Sequence, residues 1–447
     1  MRNRTKEIDM CNGSLTKNIL LYSIPLMFTN VLQVLFNLAD IAVVGKFAGA
    51  RALGSVGSTT ILVTLTTGLM IGMAGGVNAI TALFMGAKDS DKVKKTVHTS
   101  ILLCFITGLI ILCCGLLFTR PILNLMNTKE ELIDGASIYL KVYLCGSPAL
   151  ALYNYGNAVL SAIGDTKRPL KYLTISGIVN VILNLIFVVV FHMGVFGVAL
   201  ASIISQYISA YLILRCLFQC KEVYGLKLHE IRIDRKIAIR ILRISIPSAI
   251  QYSVFAIANL FVQSAVNSFD HVVVEGNAAA ANADAIVYDM MAAFYTASTS
   301  FIAQNYGARN KKRILHAYII TTIYSFTVAF LLGLALVVFH NQFLSLFTND
   351  VNVVYHGTTR IMIMGLCYCV SAFMDNATAA ARGIGKSMTP TVIVLLGSVA
   401  FRILWIVTIF AYYRTIKSLY LLYIFSWTIT SIPGNIYFLW HYRKIKE

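Results

Sequence analysis

Twelve long apolar runs constrain this chain more than any other feature of its sequence. Each is longer than the roughly 20 residues that an α-helix needs to cross a bilayer. Only 13% of the residues are charged, against about a quarter in a soluble domain, and the mean hydropathy is +0.74. The sequence therefore predicts an all-α polytopic membrane protein with about twelve transmembrane helices, at about 18–45, 53–84, 97–119, 131–162, 169–191, 194–219, 238–268, 275–306, 314–340, 351–383, 390–413 and 416–441.

The basic residues predict how these helices cross the membrane. A formal net charge of +18 would point to nucleic acid in a soluble protein. Here, however, roughly 28 of the 37 Lys and Arg residues fall in alternate loops and about six in the loops between them. Basic residues accumulate in the cytoplasmic loops of membrane proteins. We therefore expect a multi-pass protein of the cell membrane with both termini in the cytoplasm and no nucleic-acid partner.

The chain repeats itself at an offset of 221 or 222 residues. The matched features are Pro25 with Pro247, Asn37 with Asn259, Gly86-Ala87-Lys88 with Gly307-Ala308-Arg309, and Gly164 and Pro169 with Gly385 and Pro390. A constant offset over six predicted helices indicates a parallel repeat. We predict two pseudo-symmetric six-helix lobes, with an N-lobe at 1–219, a basic cytoplasmic linker at 220–237 and a C-lobe at 238–447.

A polar stripe runs along the first predicted helix. Asn30, Gln33, Asn37 and Asp40 are spaced i, i+3, i+7 and i+10, which places them on one helix face. Polar groups are expensive in hydrocarbon and are therefore informative there. The stripe is either a set of hydrogen bonds between helices or the wall of a water-filled cavity.

Further polar side chains lie inside the fourth and fifth predicted helices: Lys141, Asn154, Asn157, Asn180 and Asn184. With a rise of about 1.5 Å per residue, Lys141 lies about 15 Å and Asp40 about 8 Å below the outer ends of their helices, which allows the two to pair. Two interpretations of Lys141 stay open. It either pairs with Asp40, or extends along its helix until its ammonium reaches the outer interface.

The second half carries its own polar set. We expect it to contribute Gln251, Asn259, Gln263, Asp284 and Asp289 to a substrate cavity that also includes Gln33, Asn37, Lys141, Asn154 and Asn157. Arg360, Asp375 and Arg402 lie in the tenth and eleventh predicted helices. These charges either form buried ion pairs that fix the lobe or take part in transport, and a buried pair does not distinguish the two.

Pro25 and Pro247 lie at equivalent positions inside the first and seventh predicted helices. A proline in a helix interior removes one backbone hydrogen bond and favours a kink. Paired prolines in repeated helices predict paired bending points. The alternative is curvature without function, because proline is common in membrane helices.

Enzymatic signals are absent from the sequence. The histidines form no cluster with carboxylates that would suit a metal, and there is no phosphate-binding loop of the Walker type. We therefore expect neither catalysis nor a cofactor.

These features together resemble the multidrug and toxic compound extrusion (MATE) family. The resemblance covers nearly the whole chain and rests on the two six-helix lobes, Pro25, Asp40 in Asn37-Leu38-Ala39-Asp40, the Gly164-Asp165-Thr166-Lys167-Arg168-Pro169 loop and the Gln304-Asn305-Tyr306-Gly307-Ala308 turn. It implies efflux of amphiphilic, often cationic, drug-like molecules in exchange for protons or sodium.

The resemblance also implies roles for individual residues. Asp40 stands where the family has its coupling acid, and Gln33, Asn154, Asn157, Asn180 and Ser202 fall where the family's N-lobe cavity is polar. Asn184 stands where many members have a second acid, and Phe255 where sodium-coupled members often have a glutamate. We therefore expect cation coupling at Asp40, Asn180, Asn184 and Ser202.

The coupling ion stays open between two alternatives. An acid in an apolar setting can hold a proton in one state and release it in another, and one carboxylate with Asn and Ser oxygens can ligate a hard cation such as sodium at Asp40. We favour protons. The runner-up function is a lipid or lipid-linked sugar flippase of the same broad superfamily. In either case we expect a monomer in the lipid bilayer.

Overall fold

The structure, a computed structural model, describes residues 7–445. Arg2, Arg4, Lys6 and Lys446, part of the predicted cytoplasmic basic set, lie outside the described residues. Within 7–445 the chain is helical and contains no strand. Its α-helices are α1 (Leu15–Val43), α2 (Ala50–Gly86), α3 (Ser90–Leu125), α4 (Glu130–Leu144), α5 (Ser147–Ala162), α6 (Lys167–Leu185), α7 (Gly194–Phe218), α8 (Arg235–Val266), α9 (His271–Gly307), α10 (Lys311–Val338), α11 (His340–Leu344), α12 (Val351–Met364), α13 (Tyr368–Gly383), α14 (Met388–Val394), α15 (Phe401–Trp405) and α16 (Ile416–Arg443).

The predicted membrane helices correspond to these elements, with three of them interrupted. The fourth consists of α4 and α5, the tenth of α12 and α13, which are bent by 50°, and the eleventh of α14 and α15. Within 7–445, eight helices are long and apolar enough to cross a membrane, or nine if α12 and α13 count as one span. The all-α polytopic fold is as predicted.

Among the described residues, four π-helical segments extend or interrupt the helices. They are Val44–Ala48 after α1, Ile186–Val190 after α6, and Leu395–Ala400 and Ile406–Phe410 on either side of α15. A π-helical turn inserts an extra residue and rotates the side chains beyond it, and such turns are frequent at functional sites.

The chain divides into two compact units. Unit 1 contains Phe28–Ala249 together with Glu7 and Ile8, and unit 2 contains Asp9–Met27 together with the chain from Ile250 onward. Both α1 and α8 therefore change unit within the helix, just after Pro25 and Pro247. That these prolines are bending points stays a prediction, as do the lobe boundaries at 1–219 and 238–447.

In unit 1, α8 begins against α2. An added Cβ at Gly72 would overlap the backbone nitrogen and Cα of Ala249, and one at Gly76 would overlap Ser245. Ser245 Oγ in turn donates to the carbonyl oxygen of Met73 at 2.9 Å. Small residues allow membrane helices to approach closely enough for such contacts. The two glycines thus position the part of α8 that precedes its change of unit.

In unit 2, Arg313 fastens the segment that leads into α1. Its guanidinium donates to the carbonyl oxygens of Met10 at 3.2 Å and Gly13 at 3.0 Å, and to Asn305 Oδ1 at 3.2 Å. Burial tends to raise the pKa of Asp9, but hydrogen bonds from Asn12 and Cys11 and the charge of Arg313 lower it overall. Asp9 is therefore ionised at neutral pH and supports this turn.

Unit 2 also encloses an ion pair that joins α9 to α12. Arg360 Nη2 and the Tyr368 hydroxyl donate to the two oxygens of Asp284. Arg360 Nη1 donates to Asn277 Oδ1 at 2.6 Å, which also accepts from the Tyr420 hydroxyl at 3.2 Å. These contacts lie inside one unit and join α9 to α12, although the Nε atom of Arg360 is buried without a hydrogen-bond partner among the described residues.

We expect Gly72→Ala to lower the thermal stability of the protein in detergent. The added methyl group meets backbone atoms of α8, which cannot move aside as a flexible side chain would. The matched control is Gly57→Ala on the same helix, where a Cβ meets nothing within 4 Å. There we expect no loss, or a gain of about 0.5–1 kcal/mol from helix propensity. Equal melting temperatures for the two variants would contradict the close contact.

We expect Asp284→Asn to destabilise unit 2 by about 3–5 kcal/mol, because it leaves the Arg360 guanidinium buried without a counter-charge. Asp134→Asn is the control, since the Arg120–Asp134 pair is exposed and such pairs contribute about 0–1 kcal/mol. The measurement is the melting temperature of the purified variants. If both variants melt alike, the Asp284–Arg360 pair does not hold the unit together.

Candidate functional site

The four residues predicted for cation coupling come together in unit 1. Asp40, near the end of α1, accepts a hydrogen bond at Oδ1 from Asn184 Nδ2 at 2.5 Å and at Oδ2 from Ser202 Oγ at 3.3 Å. Asn184 Nδ2 also donates to Asn180 Oδ1 at 3.3 Å. The carboxylate of Asp40 thereby connects α1 with α6 and α7.

Local backbone features explain how α1 and α6 come this close. Gly177 on α6 has no side chain where the ring of Phe36 lies, and an added Cβ would overlap that ring. Beyond the acid and the amide, both helices change to π-helical geometry, at Val44–Ala48 and Ile186–Val190. Val44 and Val188 from these segments pack in one apolar cluster. The polar group thus has an apolar boundary on one side.

The Asp40 carboxylate has no ionic partner within the described part of the chain, where no Lys, Arg or His nitrogen lies within 4.0 Å of it. Asn184 is fully buried, yet its Oδ1 accepts no hydrogen bond there. A buried acceptor is rarely left unmatched. The site therefore has a carboxylate and an amide oxygen available to a proton or a small cation.

Lys141 does not pair with Asp40 in the described structure, so that alternative is wrong. Lys141 is exposed in the last turn of α4. Tyr139, two residues earlier on α4, is buried in the same apolar cluster as Val44 and Val188, and its ring stacks on that of Tyr143 at 6.0 Å. At 100° per residue, Lys141 points about 200° away from Tyr139. Sequence reasoning missed both tyrosines, although their i, i+4 spacing indicated a shared face opposite Lys141.

The other predicted cavity residues of unit 1 do not join this cluster. Gln33 and Asn37 are exposed on α1. Asn154 Nδ2 donates to Leu150 O of its own helix at 2.9 Å, and Asn157 Oδ1 accepts from Ser161 Oγ at 3.3 Å. Their role in a substrate cavity stays a prediction.

In unit 2 the predicted cavity residues are spread over several environments. Gln251 is buried, and Gln263 Nε2 donates to Oδ1 of Asn267, the residue that follows the end of α8, at 2.8 Å. Asp284 belongs to the ion pair with Arg360, and Asp289 is half-buried on α9. Asn259 accepts a hydrogen bond from Arg402. Within 7–445 there is no group of three or more His, Cys, Asp or Glu side chains that could hold a metal ion.

Known proteins with similar sequences and structures indicate the family. The MatE family profile matches residues 25–186 and 247–408, which are the two halves of the repeat. "Probable multidrug resistance protein YpnP" of Bacillus subtilis is 30% identical over 315 residues, or 69% of each chain. The "FAD transporter" of Shewanella oneidensis is 24% identical over 343 residues, or 74% of each chain.

A solved structure titled "Crystal structure of MATE in complex with MaL6" shares the fold with a TM-score of 0.92 at 23% identity, over 99% of both chains. The two six-helix lobes predicted from the repeat are thus confirmed, and so is the family resemblance. The chain belongs to the MatE family of multi-pass membrane transporters and is not an enzyme.

Proposed function

We propose that this protein exports amphiphilic, cationic small molecules across the cell membrane in exchange for a cation, with Asp40 as the coupling carboxylate. The observation that carries the proposal is the Asp40 group of unit 1. There a carboxylate is held by Asn184 and Ser202 and has no cationic partner within 4.0 Å in the described chain. An ionised carboxylate without a cationic partner is costly in an apolar setting, so binding of a proton or a cation that neutralises it is favourable.

The geometry suits a proton better than a metal cation. Ionised Asp40 accepts from Asn184 Nδ2, whereas a protonated Asp40 has an O–H that can donate to the amide oxygen of Asn184 after the amide turns over. The Asp–Asn pair can therefore be satisfied in both protonation states. Sodium remains the alternative, with the oxygens of Asp40, Asn180, Asn184 and Ser202 as its ligands.

Ion occupancy at Asp40 can act on helix packing because the carboxylate joins three helices. Neutralising it weakens the hydrogen bonds that hold α6 and α7 to α1, since bonds to ionised groups are roughly twice as strong as neutral ones. The adjacent π-helical segments end the regular α-helical hydrogen bonding of α1 and α6 next to this group, and such segments are frequent at functional sites. We propose that this change alternates access of the substrate site to the two sides of the membrane.

The substrate class and orientation are also proposals. Relatives named as multidrug resistance proteins support drug-like substrates, and the basic loops support cytoplasmic termini in the cell membrane. We propose a monomer with no cofactor, and with Gln33, Asn37, Asn154 and Asn157 near the substrate path. A lipid or lipid-linked sugar flippase is the second candidate, favoured by Arg402, a buried cation in unit 2 that could bind a phosphate.

We expect Asp40→Asn to reduce efflux of a cationic fluorescent dye at least about tenfold, the size of an ordinary coupling free energy. The substitution preserves shape but removes the charge. Transport is measured in proteoliposomes with proton and sodium gradients imposed independently, and a response to the proton gradient without sodium identifies the ion.

The control is Asp134→Asn, which removes an exposed acid and should leave efflux unchanged. Wild-type efflux by Asp40→Asn under both gradients would exclude Asp40 from coupling. Transport of a fluorescent phospholipid but not of the dye by the wild-type protein would favour the flippase.

A further inference from the structure

Arg402 is a buried cation in the membrane-spanning part of unit 2. It is 3% exposed and lies in the single α-helical turn, α15, that separates the π-helical segments Leu395–Ala400 and Ile406–Phe410. A guanidinium within a membrane helix is costly, and such residues generally mark functional sites or have a partner.

The partners of Arg402 are neutral. Nη1 donates to Asn259 Oδ1 at 3.1 Å and Nε to Ser426 Oγ at 3.5 Å. The guanidinium carbon lies 4.6 Å from the ring centroid of Tyr423 and 5.6 Å from that of Phe255. Within 7–445, no carboxylate oxygen lies within 4.0 Å of Arg402, and its Nη2 group donates to no acceptor.

The nearby acid is insufficient to neutralise Arg402. Asp375 forms no ion pair within 4.0 Å with Arg402 or with any other Lys, Arg or His of the described residues, and its Oδ2 atom accepts no hydrogen bond there. Its charge therefore does not cancel that of Arg402 by direct contact. Arg360 provides the contrast, since Asp284 contacts it directly.

Asn259 connects Arg402 to the surface. It is exposed, and its Nδ2 group donates to no acceptor among residues 7–445. An anion arriving at this surface can accept from Asn259 Nδ2 and from the unused Nη2 group of Arg402. The planar guanidinium, already oriented by Tyr423 and Phe255, matches two oxygens of a carboxylate or phosphate.

The internal repeat gives this arrangement an acidic counterpart. In unit 1, α1 and α6 meet through Asp40 and Asn184. In unit 2 the equivalent helices meet through Asn259 and Arg402, and the position 222 residues after Asp40 is Val262. The same helix pair therefore presents an acid in unit 1 and a cation in unit 2.

We propose that Arg402 and Asn259 form a binding site for an anionic group, a carboxylate or a phosphate, carried by an amphiphilic substrate. The inference rests on the proposed transport function and extends its substrate class to molecules that carry an anionic group in addition to, or instead of, a cationic one. The aromatic rings of Tyr423 and Phe255 orient the planar guanidinium for contact with that group.

The test compares two forms of one dye, a rhodamine with a free carboxylate and its ethyl ester, which lacks the anion. Binding to the purified protein is measured by fluorescence anisotropy. We expect Arg402→Gln to weaken binding of the acid roughly 10- to 100-fold, the effect of losing one charge-assisted contact, and to change binding of the ester less than about twofold. Arg402→Lys keeps the positive charge but lacks the planar guanidinium with its paired N–H donors, so its affinity for the acid should lie between those of the wild type and Arg402→Gln.

Arg414→Gln is the control, because Arg414 is exposed; it should bind both forms as the wild type does. The proposal is wrong if the wild type binds the acid no more tightly than Arg402→Gln does. It is also wrong if the variant loses both forms equally, since Arg402 would then serve only the packing of the unit.

A second arm identifies the source of the anion. Translocation of a fluorescent phosphatidic acid in proteoliposomes is compared between wild type and Arg402→Gln. A loss there, with the acid dye also weakened, supports the anion site and adds a lipid headgroup as its ligand. The Asp40 proposal is judged separately, on efflux of the ester, so either inference can fail while the other stands.

Discussion

Every charge inside an apolar helix bundle has to be neutralised or solvated, and the way this protein meets that requirement organises both of its units. Asp284 and Arg360 neutralise each other inside unit 2 and contribute to packing. Asp40 is held instead by amide and hydroxyl groups, and Arg402 by an amide, a hydroxyl and two aromatic rings. Neutral partners orient a charge without cancelling it, which leaves that charge available to an ion or a substrate.

The backbone around these two charges is irregular where most of the chain is regular helix. π-Helical segments follow Asp40 and Asn184 and flank Arg402 on both sides. A wider turn costs hydrogen-bond geometry and is retained where it re-aims side chains. Elsewhere, as at Gly72 against Ala249, the helices approach to backbone contact and leave no room for adjustment. The close backbone contact and the π-helical turns thus lie on different helices.

The sequence predicted much of this structure because hydropathy and the repeat report on burial and symmetry. The long apolar runs and the constant offset predicted the helical units, whereas the grouping of Asp40 with Asn184 came from the resemblance to the MATE family. Hydropathy is insensitive to local geometry, so the break at Cys145 and Gly146 that ends α4 was not predicted. Tyr139 looked like any aromatic residue in an apolar run, although the 100° step per residue already placed it on the face of α4 opposite Lys141.

The importance of Arg402 could not be read from the sequence because a buried arginine is ambiguous until its partners are known. Had Asp375 contacted it, Arg402 would have been a second structural pair like Arg360 with Asp284. The structure shows an amide there instead, on the helix equivalent to the one that carries Asp40. The two halves repeat the same order of helices, so a few side chains suffice to give them opposite polarity. In this chain those side chains are Asp40 in one unit and Arg402 in the other.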